Sequence, residues 1–279
     1  MTYKLVALDL DGTMLDEDKI LNRGTVDMIR EVSEYGVRFT IATGRMSRGA
    51  LRYADELGVD IPVITYNGAI MRSMYSDEVY REFKVPAEQA KEALRLLRDE
   101  PVLRYAFLGD EVFTDTAHDW TDRYADLLGV EIHQVADVQD LLGEDPTMLV
   151  FMVPVGRAQI LTQTLKSTLD SQVRITNSAD WFLDVLHPQA TKGLALAQLA
   201  GRLGIEREEV IAIGDNVNDL EMVEYAGLGV AVANATDELK AVADYVTKAP
   251  ISRGVEEVIE RFILSNREIL DATTLSQKP

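Results

Sequence analysis

The sequence predicts an α/β protein in which a Rossmann-like parallel-sheet core domain carries an inserted α+β domain. Three observations predict it. Short apolar runs alternate with amphipathic helical stretches at both ends of the chain, each run stops at a polar or glycine-containing loop, and from about Tyr80 to Pro188 the texture changes to mixed short strands and helices. The expected division is core over residues 1–82 and 188–279, with the insertion over 83–187.

Lys4 to Leu10 reads as the first strand, apolar enough to be covered on both faces. Asn22 caps a helix with Val26, Ile29, Val32 and Tyr35 on helical spacing, closed by Gly36. Val37 to Ala42 is the second strand and runs into Thr43-Gly44-Arg45. A helix with Leu51, Ala54 and Leu57 ends at Gly58, and Pro62 to Tyr66 is a third strand ending in Asn67-Gly68. The insertion reads as a helix from Glu88 to Arg98, then strands Tyr105 to Leu108 and Val112 to Thr114 around the Gly109-Asp110 turn. There follow a helix Trp120 to Leu128, a strand Met148 to Val153, a helix Gln159 to Leu169, and strands Val173 to Thr176 and Trp181 to Leu186. Beyond Pro188 the first pattern resumes, with a helix through Leu194, Ala197, Leu199 and Leu203 and the strand Val210 to Ile213. Gly214-Asp215-Asn216-Val217-Asn218-Asp219 then opens another helix. Gly229 to Ala233 and Tyr245 to Thr247 read as late strands and Gly254 to Leu264 as a closing helix; the chain after Arg267 is expected to be loose.

A chain of 279 residues suits two domains better than one core, and 47% hydrophobic content can bury them without staples. The absence of cysteine excludes disulfides, thiolate metal sites and cysteine nucleophiles. MTYKLVALDLDGT has acidic residues where a signal peptide needs its cleavage region, and no apolar run approaches the ~18 residues of a membrane span, so a cytoplasmic location is expected. Lys plus Arg is 28 against 47 for Asp plus Glu, a net charge of 28 − 47 = −19. Such a field repels nucleic acid and anionic membrane, so neither is expected as a partner, and an anionic substrate needs a local cluster of cations.

The polar strand ends carry the chemistry. Asp9 and Asp11 follow the first strand, Thr43 and Gly44 the second, Asn67 the third, and Asp215, Asn218 and Asp219 the strand after the insertion. In one parallel sheet these groups converge on one rim. Four acidic side chains there repel one another unless a cation sits among them. A hard divalent ion such as Mg²⁺ suits a sparse carboxylate set completed by water and phosphate, and Lys192 is the natural cation for the substrate. Each residue also has a plainer reading. Thr43 can be an ordinary strand residue, Lys192 a surface charge, Asn218-Asp219 an N-cap pair, Asn67 a turn residue, and Arg45 either a phosphate ligand or the partner of a carboxylate. His118, His133 and His187 lack metal-ligand spacing and read as surface or packing residues; Trp120 and Trp181 read as packing anchors.

Asp9-Leu10-Asp11-Gly12-Thr13, the strand-ending Thr43, Lys192 in Thr191-Lys192-Gly193, and Gly214-Asp215 with Asn218-Asp219, in that order, resemble the four motifs of the haloacid dehalogenase superfamily of phosphotransferases. With Tyr66-Asn67-Gly68-Ala69 and an insertion between the second and third motifs, the whole chain is similar to the Cof-type branch, whose insertion is a large α/β cap (subclass IIB). The resemblance implies a phosphatase in which Asp9 is the nucleophile and Asp11 the acid and base. Mg²⁺ would be held by Asp9, the Asp11 backbone carbonyl and Asp215, with Asp219 touching it directly or through water. The resemblance also implies phosphate bound by Lys192, Thr43, Asn218 and the backbone N–H groups of Leu10 and Gly44, with Arg45 and Asn67 assisting. Asp11 argues against a dehalogenase, and the lack of membrane spans against an ion pump. The substrate class implied is a small phosphorylated metabolite, sugar phosphates first, and the cap supplies Arg104, Tyr105, Asp184 and His187 as candidates for contact with it. A phosphosugar mutase and a non-catalytic phosphometabolite-binding protein are the alternatives. Monomer and homodimer are both open.

Overall fold

The computed structural model describes residues 3–177 and 181–265. The chain opens with β1 (Leu5–Leu8), wholly buried, and α1 (Arg23–Glu34), whose first turn is capped by the Asn22 side chain accepting from Thr25 N at 3.3 Å. β2 (Arg38–Ile41), α2 (Ser47–Leu57) and β3 (Val63–Thr65) follow, then two short strands, β4 (Ile70–Arg72) and β5 (Val79–Glu82). The insertion supplies α3 (Ala87–Leu96), β6 (Leu103–Leu108), β7 (Glu111–Thr114), α4 (Trp120–Leu128), β8 (Ile132–Gln134), β9 (Met148–Met152), α5 (Ala158–Leu169), β10 (Arg174–Thr176) and β11 (Phe182–Leu186). The chain then returns with α6 (Lys192–Leu203), β12 (Val210–Gly214), α7 (Leu220–Tyr225), β13 (Leu228–Ala231), α8 (Asp237–Val242), β14 (Tyr245–Val246) and α9 (Ile251–Val258), the last running on into a π-helical turn.

The core sheet is parallel throughout, in the order β14-β13-β12-β1-β2. β1 lies between β12 and β2, with Leu5 opposite Val210 on one side and Arg38 on the other. The chain leaves β1 towards β2 on one side and comes back through β12 on the other, so the order reverses beside β1. Open α/β sheets bind ligands at such a point, outside the carboxyl ends of the strands. The loops after β1, β2 and β12 are therefore neighbours although 202 positions separate Thr13 from Asp215.

β3 departs from the expected third parallel strand. It meets the core at a single parallel bridge, Ala42 to Ile64, with Thr43 N donating to Ile64 O at 2.9 Å, and otherwise pairs antiparallel with β4. The reversal is made by Tyr66 (φ 50°), Asn67 (φ 53°) and Gly68 (φ 94°). A side chain at Gly68 would strike the Thr191 backbone, so only glycine turns the chain there.

In the insertion the sheet order is β10-β11-β9-β6-β7-β8. Strand alternation gives it two apolar faces. Leu149, Phe151, Leu183 and Val185 pack under α3 and α5 with Ala90, Leu94, Leu161 and Leu165. Their alternates, Tyr105, Phe107, Met148, Val150, Phe182 and Leu186, join Met46 and Tyr66 of the core in a separate cluster. The second face looks onto the carboxyl ends of the core strands. Contact is direct: the Tyr66 hydroxyl donates to Gly109 O at 3.3 Å, and Asn67 Nδ2 lies 3.4 Å from Asp184 Oδ2. Among the described residues, no helix is long and apolar enough to cross a membrane. The segment after Arg267 lies outside the described residues.

Candidate active site

The β1 loop turns at Gly12 (φ 86°), where a Cβ would collide with the Asp215 carboxylate. Glycine there lets the β1 and β12 loops approach until Thr13 Oγ1 donates to Asp215 Oδ1 at 3.0 Å. Asp9, Asp215 and Asp219 each present an oxygen within 4.8 Å of the others. Lys192 begins α6 and is fully buried; its Nζ donates to Asp9 Oδ1 at 2.6 Å and to Asp219 Oδ1 at 2.5 Å. Asp219 Oδ2 also accepts from the backbone N of Asp215 (2.9 Å) and Asn216 (3.1 Å), which locks the β12 loop.

The electrostatics record a shortage of positive charge. Burial first, then the neighbouring Asp219 and Asp215, push the Asp9 carboxyl well above the usual range, although Lys192 opposes this. Burial and then Asp219 push Asp215 up to about 6. Burial alone would lower Lys192, but Asp219 and then Asp9 outweigh it and keep the ammonium charged. Three hard oxygen donors, two of them reluctant to ionise together, fit a hard divalent cation.

Asp11 stands apart from that trio. Arg45 grips it with Nε to Oδ2 at 2.6 Å and Nη2 to Oδ1 at 2.7 Å, and Lys19 Nζ adds a contact to Oδ1 at 2.8 Å. Burial works upward on this carboxyl, but the hydrogen bonds and charge of Arg45, then of Lys19, hold it at about 2. Of the two readings open for Arg45, the structure has it paired with a carboxylate. Thr43 is buried at the end of β2, its hydroxyl accepting from Arg45 N at 3.2 Å. Asn218 Nδ2 donates to Asn67 Oδ1 at 2.9 Å, and Asn67 in turn reaches Asp184. Among the described residues the backbone N–H groups of Leu10 and Gly44 donate to no protein acceptor.

These loops form the floor of a cavity of about 290 Å³, with Asp9, Asp11, Thr43, Gly44, Arg45, Asp215 and Asn218 all lining it. Lys192 and Asp219 lie just behind that floor. The roof comes from the insertion and includes Phe107, Tyr124, Met148, Trp181, Phe182 and Asp184. Of the cap candidates, only Asp184 lines the cavity. Arg104 is instead paired with Asp115 at 3.0 Å, Tyr105 is buried with its hydroxyl 3.2 Å from Thr121, and His187 stacks on Phe83. Trp181, read as a packing anchor, faces the cavity as well as Trp120. Sequence reasoning missed Lys19 altogether. Its signal was the net charge of −19, which demands local cations near any anion site and is answered here by Lys19, Arg45 and Lys192 together.

The sequence profile of the haloacid dehalogenase-like hydrolases matches residues 6–259. The chain is 31% identical over 260 residues to the phosphoglycolate phosphatase of Methanothermobacter thermautotrophicus, covering 93% of this chain and 99% of that protein. It is 27% identical over 267 residues to the 5-amino-6-(5-phospho-D-ribitylamino)uracil phosphatase YitU of Bacillus subtilis, covering 92% and 97%. A solved haloacid dehalogenase-like hydrolase from Bacteroides thetaiotaomicron superposes with a TM-score of 0.83 at 30% identity, over 94% of this chain and 100% of that one.

Proposed function

The chain belongs to the haloacid dehalogenase-like hydrolases as a Cof-type phosphoric monoester hydrolase, and from that premise we propose that it cleaves small phosphomonoesters in two Mg²⁺-dependent steps through Asp9. The observation that carries the mechanism is the buried Lys192 bridging Asp9 and Asp219 beside Asp215.

In the first step an Asp9 carboxylate oxygen forms a bond to phosphorus, the ester P–O bond breaks, and a proton passes to the leaving oxygen. Lys192 fixes the plane of the Asp9 carboxylate through Oδ1 and opposes the effect of its burial on its ionisation. The Thr43 hydroxyl, the Asn218 amide and the N–H groups of Leu10 and Gly44 serve the phosphate oxygens, since such donors stabilise charge that shifts onto them during transfer. In the second step water attacks the acyl phosphate, phosphate leaves, and Asp9 is restored. Asp11 supplies the proton in the first step and takes one from water in the second.

Asp11 can carry a proton only once Arg45 and Lys19 loosen their hold on it. The incoming phosphate dianion is the natural competitor for both cations, so substrate arrival itself frees the acid. Mg²⁺ would be held by Asp9, Asp215 and the Asp11 backbone carbonyl. Both Asp219 oxygens already accept hydrogen bonds, which favours contact with the metal through water. When bound, the ion supplies charge neutralisation between the nucleophile and the phosphate. Residues 83–187 act as the cap, closing over the floor and excluding water. One relative is named for a glycolate ester and another for an aminouracil ester, so membership alone leaves the leaving group open, sugar phosphates included.

Hydrolysis of p-nitrophenyl phosphate tests this reading. Turnover is expected to require Mg²⁺ and to vanish in Asp9→Asn. Turnover that survives chelation or that substitution would remove Asp9 and the metal from the mechanism.

A further inference from the structure

The cavity has two unlike halves. Its floor is ionic, whereas its roof is apolar and aromatic apart from one carboxylate. Trp181 and Phe182 stack with centroids 4.9 Å apart at 27°, and Phe182 meets Tyr124 at 5.4 Å and 34°, so three aromatic rings pack in a row along one wall. Asp184 is two residues beyond Phe182 on β11 and therefore projects from the same face; it is buried and lies in reach of the Asn67 amide. No lysine, arginine or histidine of the insertion lines the cavity among the described residues.

The geometry points to a phosphomonoester whose leaving group carries a flat unsaturated ring, with an N–H or cationic donor for Asp184, joined to the phosphate by a short link. This rests on the phosphatase reading above and names the substrate class that the same site selects. A ring gains edge-to-face or offset contact with the aromatic wall, and a donor gains a charge-assisted hydrogen bond in a site screened from water. A polyol would bury hydroxyls against Phe107, Met148 and Phe182, where they find no partners, and buried polar groups without partners are strongly disfavoured. An acidic leaving group would set its carboxylate against Asp184 with no cation on the roof to meet it. The volume of about 290 Å³ falls at the low end for ligand pockets, roughly 300–1,000 Å³, and suits a phosphate plus one small ring.

The test compares kcat/KM of the Mg²⁺-loaded protein for pyridoxamine 5′-phosphate, benzyl phosphate, glucose 6-phosphate and phosphoglycolate. Binding of the same four esters to Asp9→Asn is measured alongside. Both ring phosphates are expected to lead the other two by on the order of tenfold or more, in turnover and in binding. Trp181→Leu should cut the lead of benzyl phosphate over glucose 6-phosphate by about tenfold, and Asp184→Asn should cut the ratio of pyridoxamine phosphate to benzyl phosphate by about the same. Glucose 6-phosphate or phosphoglycolate matching the ring phosphates overturns the inference while leaving a phosphatase; so do ratios that stay within twofold in both variants. Absence of turnover with ring-first binding retained would overturn the phosphatase reading and leave the cavity's preference standing.

Discussion

Lys192→Met removes the ammonium from between Asp9 and Asp219 while keeping the length of the side chain. Both carboxylates are then left in a site where the lysine is fully buried and Asp9 and Asp219 are 5% and 0% exposed. Breaking a buried pair by deleting one partner costs ~3–5 kcal/mol, because a desolvated charge is left behind. That is a large share of the ~5–15 kcal/mol that holds a domain together. The assay is urea unfolding of the metal-free protein at pH 8, following the core transition. Asp9 already sits above its unfolded-state value, and losing Lys192 raises it further. A raised carboxyl is a penalty that is full above its folded pKa and fades as pH falls towards ~4, so the deficit of the variant should shrink on acidification from pH 8 to pH 5. Adding Asp219→Asn should recover part of it, since one of the two stranded charges is gone. Addition of Mg²⁺ should narrow the gap as well. A loss below ~1 kcal/mol at pH 8, or a loss that does not change with pH, would mean that Lys192 is not the counter-charge of this site.

Two further outcomes follow from the same geometry. Asp11→Asn should fold normally, because its partners Arg45 and Lys19 are in part solvent-exposed, yet kcat should fall ~10²–10⁴-fold, read in steady-state kinetics. Mg²⁺ affinity, measured by calorimetry from pH 5 to pH 8, should rise with pH, because Asp215, at about 6, and Asp9, also raised, must both lose their protons to bind the ion.

The parts of this molecule legible in its sequence are those that local pattern determines. β1, β2 and β12 were readable as apolar runs, and carboxylates at their ends were suspect because nothing in a strand exit repays burying them. β3 was readable as a strand but its pairing was not: Asn67-Gly68 could mark a turn, but the reversal also needs positive φ at Tyr66, which a tyrosine does not announce. β4, β5 and β8 are three or four residues long with little buried alternation, and left no pattern. Arg45 could not be assigned because its partner lies 34 residues away. The roof was hidden for a different reason: Met148 to Met152 is apolar on both faces, and no periodicity tells which face meets a cavity. Only Asp184, the one acid within Phe182 to Leu186, marked it.

The central claim is that the phosphoryl group passes through Asp9 before it reaches water. Stereochemistry at phosphorus tests this most directly, using a phosphorothioate monoester made chiral with two oxygen isotopes, hydrolysed in water of the third, and analysing the inorganic thiophosphate released. Two in-line transfers, to Asp9 and then to water, predict retention of configuration. Inversion would mean a single direct attack by water and would contradict the account.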